Sequence, residues 1–126
     1  MEIKIYYHHT DSGGVVYYAK YLEFLEEVHT EFFAQKGLSM KELIRQGILF
    51  VVARQEIDYK APAFYGDVLH IDTRLNAVGR VKLEFAYEIK NQNRRIVCTA
   101  KTVMVCVDND FKPQTIPKGI CKKLAK

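Results

Sequence analysis

The spacing of apolar side chains changes once along this chain, from a helical period to a strand period. Over residues 16–36 they recur every three or four residues, and Gly37 follows. This pattern is typical of an amphipathic α-helix that a glycine ends. From residue 48 onward apolar and polar side chains alternate instead, as in strands with one buried face. The sequence therefore predicts one long helix followed by a sheet.

Shorter signals complete the order of elements. Ser39 and Glu42 form a capping box that starts a short helix, and Gly47 ends it. Pro117 opens a basic C-terminal helix. The strands predicted by alternation cover residues 2–7, 48–59, 68–78, 81–89 and 96–107.

The order of elements predicts an α+β fold in one domain, residues 1–126. The last four strands are joined by connections too short for parallel crossovers, so we expect an antiparallel meander. One long helix is available to cover the apolar face, so the sheet should curl around it. A long edge strand must be protected or paired, and a second copy of the chain would pair it.

The net charge and the cysteine content indicate which partners and which compartment suit the protein. A net charge of +4 suits binding of a phosphorylated small molecule or of an acidic carrier protein. The sequence lacks the basic stripe with interleaved exposed aromatics that is typical of nucleic-acid binding. We expect neither a membrane helix nor a signal peptide. Cys98 and Cys106 lie on one predicted strand, about 27 Å apart, so they cannot pair with each other. Three reduced cysteines fit the cytoplasm.

The most polar stretch near the helix is the loop around Asp11. On spacing alone it has three interpretations: a turn whose aspartate accepts loop N–H groups, an acid/base or nucleophilic site, or a metal site. Apolar neighbours at the helix start would desolvate the carboxylate and raise its basicity. His8 and His9 are expected on opposite faces of a strand, and no third ligand is evident, so we favour ordinary polar roles for both.

Glycines and basic residues add two further candidates. Gly13 and Gly14 form a flexible turn, or they let a substrate approach backbone N–H groups that would hold an oxyanion. Lys60, Arg80 and Lys82 are solvated charges, or they anchor a phosphorylated ligand if one binds. No phosphate loop, dinucleotide fingerprint or Gly-x-Ser-x-Gly elbow is present.

The stretch "YYHHTDSGGVVYYAKY", residues 6–21, resembles the signature of the 4-hydroxybenzoyl-CoA thioesterase family, which has the hot-dog fold. It is most similar to the bacterial acyl-CoA thioesterases encoded beside the Tol–Pal envelope system. The segments "FVVARQEIDYKAPAFYGDVL" and "VMVCVDNDFKPQTIP" extend the resemblance over the whole chain. It implies a five-stranded antiparallel sheet wrapped around one long central helix.

The resemblance also implies a reaction and a site. Acyl-CoA, or an acyl group on a carrier protein, would be hydrolysed to acid and thiol with no metal and no cofactor. Asp11 would be the nucleophile or general base, and the N–H of Tyr18 would polarise the carbonyl. Dimers joined edge to edge, often paired into tetramers, would hold the site at their interface. The implied substrate-binding residues are Gly14, Val15, Tyr17, Val51, Lys60, Arg80 and Lys82.

The chain departs from its close relatives at two places. They usually have an acidic pair where His8 and His9 stand, and a histidine where this chain has Tyr18. A non-catalytic alternative is an envelope-associated scaffold that binds acyl carrier protein through its basic surface. A hot-dog dehydratase is disfavoured because no suitable His–Glu pair lines up.

Overall fold

A computed structural model describes all residues 1–126. The predicted order of elements is confirmed, with one long helix inserted between a short first strand and four long ones. The strands are β1 (Glu2–Lys4), β2 (Leu49–Tyr59), β3 (Val68–Val78), β4 (Lys82–Lys90) and β5 (Ile96–Val107), and the helices are α1 (Lys20–Gln35), α2 (Met40–Arg45) and α3 (Lys118–Leu124).

The five strands form one antiparallel sheet in the order β1-β3-β4-β5-β2. Strands β3, β4 and β5 are the predicted meander, but β2 pairs with β5 and not with β3, so a four-strand meander was wrong. The connection between Tyr59 and Val68 carries the chain across the end of the sheet. Alternation cannot reveal this crossing, because it assigns faces and not neighbours.

Helix α1 packs its aromatic face against the middle of the sheet. Phe33 is fully buried, and its ring centroid lies 5.5 Å from that of Phe50 on β2 and 5.7 Å from that of Phe85 on β4. Gly37 ends the helix with a φ of 77°, a left-handed conformation that favours glycine. At α2 the predicted cap is present, because the Ser39 hydroxyl accepts a hydrogen bond from the Glu42 N–H at 3.3 Å.

The N-terminal strand and the long helix are both shorter than predicted. The chain leaves β1 after Lys4 and makes a 3₁₀ turn over Tyr7–His9. Helix α1 begins at Lys20, not at residue 16, because Val16 is held in extended backbone by bonding its N–H to the Ala63 carbonyl at 2.8 Å. The apolar residues that preceded the helix therefore belong to a hairpin at its tip.

A β-bulge at Ala53 divides β2 into two halves whose side chains alternate in opposite phase. Val51 pairs with Val105, whereas Gln55 pairs with Thr102 beyond the bulge. Thr102 is buried on the helix-facing side with Phe85, so Gln55 faces α1 and Val51 faces away from it. Strict alternation over residues 48–59 predicts Val51 and Gln55 on one face, and the bulge makes this prediction wrong.

None of the helices combines the length and the apolar character that crossing a membrane requires. All three cysteines are free thiols, with Cys98 and Cys106 buried on β5 and Cys121 partly buried on α3. Burial raises the pKa of the Cys98 thiol to about 12, so this thiol stays protonated.

Candidate active site

The loop that carries Asp11 is a tight hairpin at the tip of α1. Thr10 and Val16 form an antiparallel bridge, and the Asp11 N–H donates to the Val15 carbonyl at 2.9 Å. The Tyr17 N–H donates to the His9 carbonyl at 2.9 Å and closes the base of the hairpin, and the Val16 N–H ties the hairpin to the Ala63 carbonyl at 2.8 Å. These bonds hold the polar loop immediately in front of the helix.

The two carboxylate oxygens of Asp11 have different surroundings. Oδ1 accepts a hydrogen bond from the Gly13 N–H at 2.8 Å, so the turn-acceptor interpretation of Asp11 is confirmed. Oδ2 accepts no hydrogen bond within the chain and stays available for chemistry. A Cβ at residue 13 would lie 3.2 Å from Oδ1, so another side chain there would crowd the carboxylate. Gly14, with a φ of 82°, makes the turn.

Asp11 is exposed in the single chain. The expectation that apolar neighbours desolvate it was therefore wrong for one copy of the protein. The helix begins nine residues later, and Asp11 remains exposed in front of it. Desolvation of Asp11 would have to come from a bound substrate or from a second subunit.

The tip of α1 leaves backbone donors free. The residue before the helix, Ala19, cannot cap it with a side chain. The Lys20 N–H bonds the Tyr17 carbonyl at 2.9 Å and closes the first turn, but the N–H of Tyr18 has no partner in the chain. Free amide donors at the positive end of a helix are suited to a developing oxyanion.

An apolar groove of about 330 Å³ opens beside this tip. One wall is the return arm of the Asp11 hairpin, and the other is the end of β2 with the segment that follows it. The groove is the right kind of space for the acyl part of a thioester, with one cation at its rim. It is lined by Val15, Val16, Tyr18, Tyr21, Tyr59, Lys60, Ala61 and Pro62.

The tyrosines of the groove contact one another. Tyr59 packs edge-on against Tyr18 and Tyr21, with ring centroids 6.4 Å and 5.5 Å away. The neighbouring Tyr18 hydroxyl is the main cause that raises the pKa of Tyr17, and the Asp11 charge adds to it. Spacing did not identify Tyr21 and Tyr59 as site residues; the one available signal for Tyr59 was the alternation that puts it on the same face of the strand as Gln55.

The two adjacent histidines do not point to opposite faces, because they lie in a 3₁₀ turn and not in a strand. Their ring centroids are 4.1 Å apart, and Nδ1 of His9 accepts a hydrogen bond from the Tyr6 N–H at 2.9 Å. Partial burial, with the nearby His8 and Lys20, lowers the pKa of His9. No three His, Cys, Asp or Glu side chains come together in a way that could hold a metal ion.

The predicted substrate-binding residues separate into two groups. Gly14, Val15, Tyr17 and Lys60 lie at or beside the groove with Asp11 and Tyr18. The other group lies toward the opposite end of the sheet, where Val105 pairs with both Val51 and Lys82. Val51 and Tyr59 are eight residues apart on β2, or about 26 Å at the strand rise. One chain therefore does not bring Val51, Arg80 and Lys82 to Asp11.

Comparison with known proteins decides the family. The model of the thioesterase-like superfamily matches residues 7–124, which is nearly the whole chain. The chain belongs to this superfamily. The acyl-CoA thioester hydrolase YbgC of Escherichia coli O6:H1 is 35% identical over 119 residues, covering 94% of this chain and 89% of that protein. The 1,4-dihydroxy-2-naphthoyl-CoA hydrolase of Synechococcus elongatus is 29% identical over 108 residues, or 84% and 79% of the two chains.

Solved structures agree on the fold of this superfamily member. A probable thioesterase from Bartonella henselae has a TM-score of 0.87 at 30% identity, covering 93% of this chain and 97% of that one. A 1,4-dihydroxy-2-naphthoyl-CoA thioesterase from Synechocystis has a TM-score of 0.93 at 24% identity, over 100% and 94% of the chains. The hot-dog fold expected from residues 6–21 is therefore confirmed.

Proposed function

We propose that this member of the thioesterase-like superfamily hydrolyses acyl-CoA thioesters to a free acid and coenzyme A. The observation that carries the proposal is the Asp11 hairpin. It holds a carboxylate with one free oxygen in front of an uncapped helix tip, beside an apolar groove. The related hydrolases YbgC and 1,4-dihydroxy-2-naphthoyl-CoA hydrolase support the reaction class.

In the proposed reaction Asp11 acts through Oδ2 while the Gly13 N–H holds Oδ1. As a general base, Oδ2 takes a proton from water, whose oxygen forms a bond to the thioester carbon. As a nucleophile, Oδ2 forms that bond itself, and water then hydrolyses the mixed anhydride. In both routes the C–S bond breaks, the thiolate leaves and is protonated, and the Tyr18 N–H stabilises the negative carbonyl oxygen.

The two separated groups of binding residues support a site shared between subunits. Strand β2 is a long edge of the sheet with eleven residues, and Val52 on it is an exposed apolar side chain. If two copies pair antiparallel along β2, the Val51 end of one approaches the Tyr59 end of the other. Arg80 and Lys82 of the partner subunit would then bind the phosphates of a coenzyme A whose thioester lies at Asp11.

The reaction is tested with purified protein and a panel of acyl-CoA thioesters that spans short, long and aromatic acyl groups. Released thiol is followed with a chromogenic thiol reagent, and the free acid is identified by mass spectrometry. Turnover of at least one thioester above the uncatalysed rate is the expected result. If none of the thioesters in the panel is turned over, the proposed function is wrong.

The shared site is tested by mixing two inactive variants. Asp11→Asn is combined with an Arg80→Ala, Lys82→Ala double variant, and subunits are exchanged. A mixed dimer with a shared site has one intact Asp11 facing the intact Arg80 and Lys82 of its partner, so activity should reappear. If the residues act within one subunit, every site in the mixture carries a defect and no activity returns.

A second candidate is binding of an acyl carrier protein, as substrate donor or as a scaffold without catalysis. Helix α3 and the two residues after it supply the observation, because Lys118, Lys122, Lys123 and Lys126 are all exposed. An acidic carrier protein would bind there with an affinity that falls as salt is raised. Turnover of acyl-CoA by the purified chain, with no salt-sensitive carrier binding, would dismiss this candidate.

The proposed compartment of this enzyme is the cytoplasm. Three free cysteines, two of them buried, suit a reducing environment such as the cytoplasm, where coenzyme A thioesters are made and used.

A further inference from the structure

The carbonyl oxygen of Tyr18 lies just before α1, whose N-cap is Ala19. If the helix began one residue earlier, this carbonyl would accept a hydrogen bond from the N–H of Leu22, four residues later. Here the Leu22 N–H bonds the Ala19 carbonyl instead, at 3.2 Å. The Tyr18 carbonyl accepts a hydrogen bond from the Tyr59 hydroxyl at 3.0 Å, so a side chain from β2 replaces a helix amide.

This bond completes the restraints on Tyr18. The Lys20 N–H holds the carbonyl of the peptide before it, and the Tyr59 hydroxyl holds the carbonyl of the peptide after it. Peptide groups are planar, so pinning both of them fixes the two soft dihedrals of Tyr18. The direction of its free N–H is then set relative to β2 and to the groove.

We propose that Tyr59 is a positioning residue for thioester hydrolysis, one that aims the Tyr18 N–H at the carbonyl oxygen of the substrate. The inference rests on the function proposed above. In this role the Tyr59 hydroxyl acts through the Tyr18 backbone, whereas the Tyr59 ring lines the groove. Its ring is held edge-on by Tyr21, so the hydroxyl is presented from a rigid strand end.

The geometry predicts a particular kinetic signature for Tyr59→Phe, which removes the hydroxyl and keeps the ring. An oxyanion donor that is no longer held loses transition-state stabilisation, so kcat should fall about tenfold. KM should stay within about twofold, because substrate binding in the ground state is not affected. The loss should be the same for every acyl-CoA, since the thioester oxygen is common to all of them.

Tyr65→Phe is the matched control. Tyr65 is exposed, and its hydroxyl makes no hydrogen bond within the chain. It should have the kcat, KM and melting temperature of the unaltered protein. Tyr59→Phe should match it in melting temperature and, within about twofold, in KM, and should differ from it in kcat. The ¹³C resonance of the Tyr18 carbonyl should move in Tyr59→Phe and not in Tyr65→Phe, which reports the bond directly.

Three results would overturn the inference. The first is a kcat for Tyr59→Phe equal to that of Tyr65→Phe. The second is a loss that appears in KM or varies with the acyl group, which would mean that Tyr59 acts only as a wall of the acyl groove. The third is a Tyr18 carbonyl resonance that does not move. If Asp11→Asn abolishes turnover while Tyr59→Phe does not lower it, this inference alone fails; a panel without any turnover means that the proposed function fails.

Discussion

The imidazole of His29 on α1 lies over the ring of Phe85 on β4, with ring centroids 6.2 Å apart and planes inclined by 28°. His29 is buried, and its Nδ1 has no hydrogen-bond partner. Burial therefore lowers the pKa of His29, although the nearby Glu26 carboxylate opposes the shift. A titratable group thus stands in the middle of the helix–sheet interface.

The buried His29 should make the protein less stable in acid. In the unfolded chain a histidine titrates near its ordinary pKa of about 6.5. Between this pH and the lowered pKa of His29 in the folded state, the unfolded state binds one more proton than the folded state. The free energy of unfolding should fall as pH drops below about 6.5 and continue to fall down to the lowered pKa. His29→Phe should flatten this slope in urea titrations at several pH values. His70→Gln, at an exposed position, should keep it, and equal slopes for both variants would contradict the assignment.

Phe33 should be among the most costly core residues to shorten. It is fully buried between Phe50 and Phe85. Phe33→Ala removes this packing and leaves a cavity, so we expect a loss of about 3–5 kcal/mol in the free energy of unfolding. Phe111→Ala, at a side chain 69% exposed, should cost less than about 0.5 kcal/mol by the same denaturant titration. A loss below about 1 kcal/mol for Phe33→Ala would show that α1 packs differently.

The β2 edge should be where two copies meet. Val52→Asp places a charge on that edge and should shift the dimer to monomer in analytical ultracentrifugation, with a parallel loss of turnover. Val78→Asp is the control, because Val78 is similarly exposed on β3, which β4 and β5 separate from β2. Equal effects of the two substitutions on the dimer fraction would place the interface elsewhere.

The local elements of the fold could be predicted because their signals are local. Strand β5 begins and ends where alternation predicts, and the Ser39 cap forms because it involves residues only three apart. The start of α1 could not be predicted, because the Val16–Ala63 bond that delays it joins distant segments. The bulge at Ala53 is equally invisible to a period-two pattern, which assumes that the phase never changes.

In the candidate site, too, the local features could be predicted and the contacts between distant segments could not. The Asp11 turn, its glycines and the nearby helix tip are contiguous in sequence, and a local pattern could find them. Tyr59 reaches Tyr18 from 41 residues away, and no spacing rule predicts that contact. Charge made Arg80 and Lys82 candidate phosphate anchors and the family resemblance joined them to the Asp11 site, but neither signal tells which subunit or which end of the sheet supplies them.

The most direct test of the account is the turnover number of Asp11→Asn on the best acyl-CoA of the panel. Asparagine keeps an oxygen to accept the Gly13 N–H, so the hairpin and the fold should be preserved while the base or nucleophile is lost. We expect kcat to fall at least about a hundredfold at an unchanged melting temperature. A folded Asp11→Asn variant that retains the kcat of the unaltered protein would contradict the account.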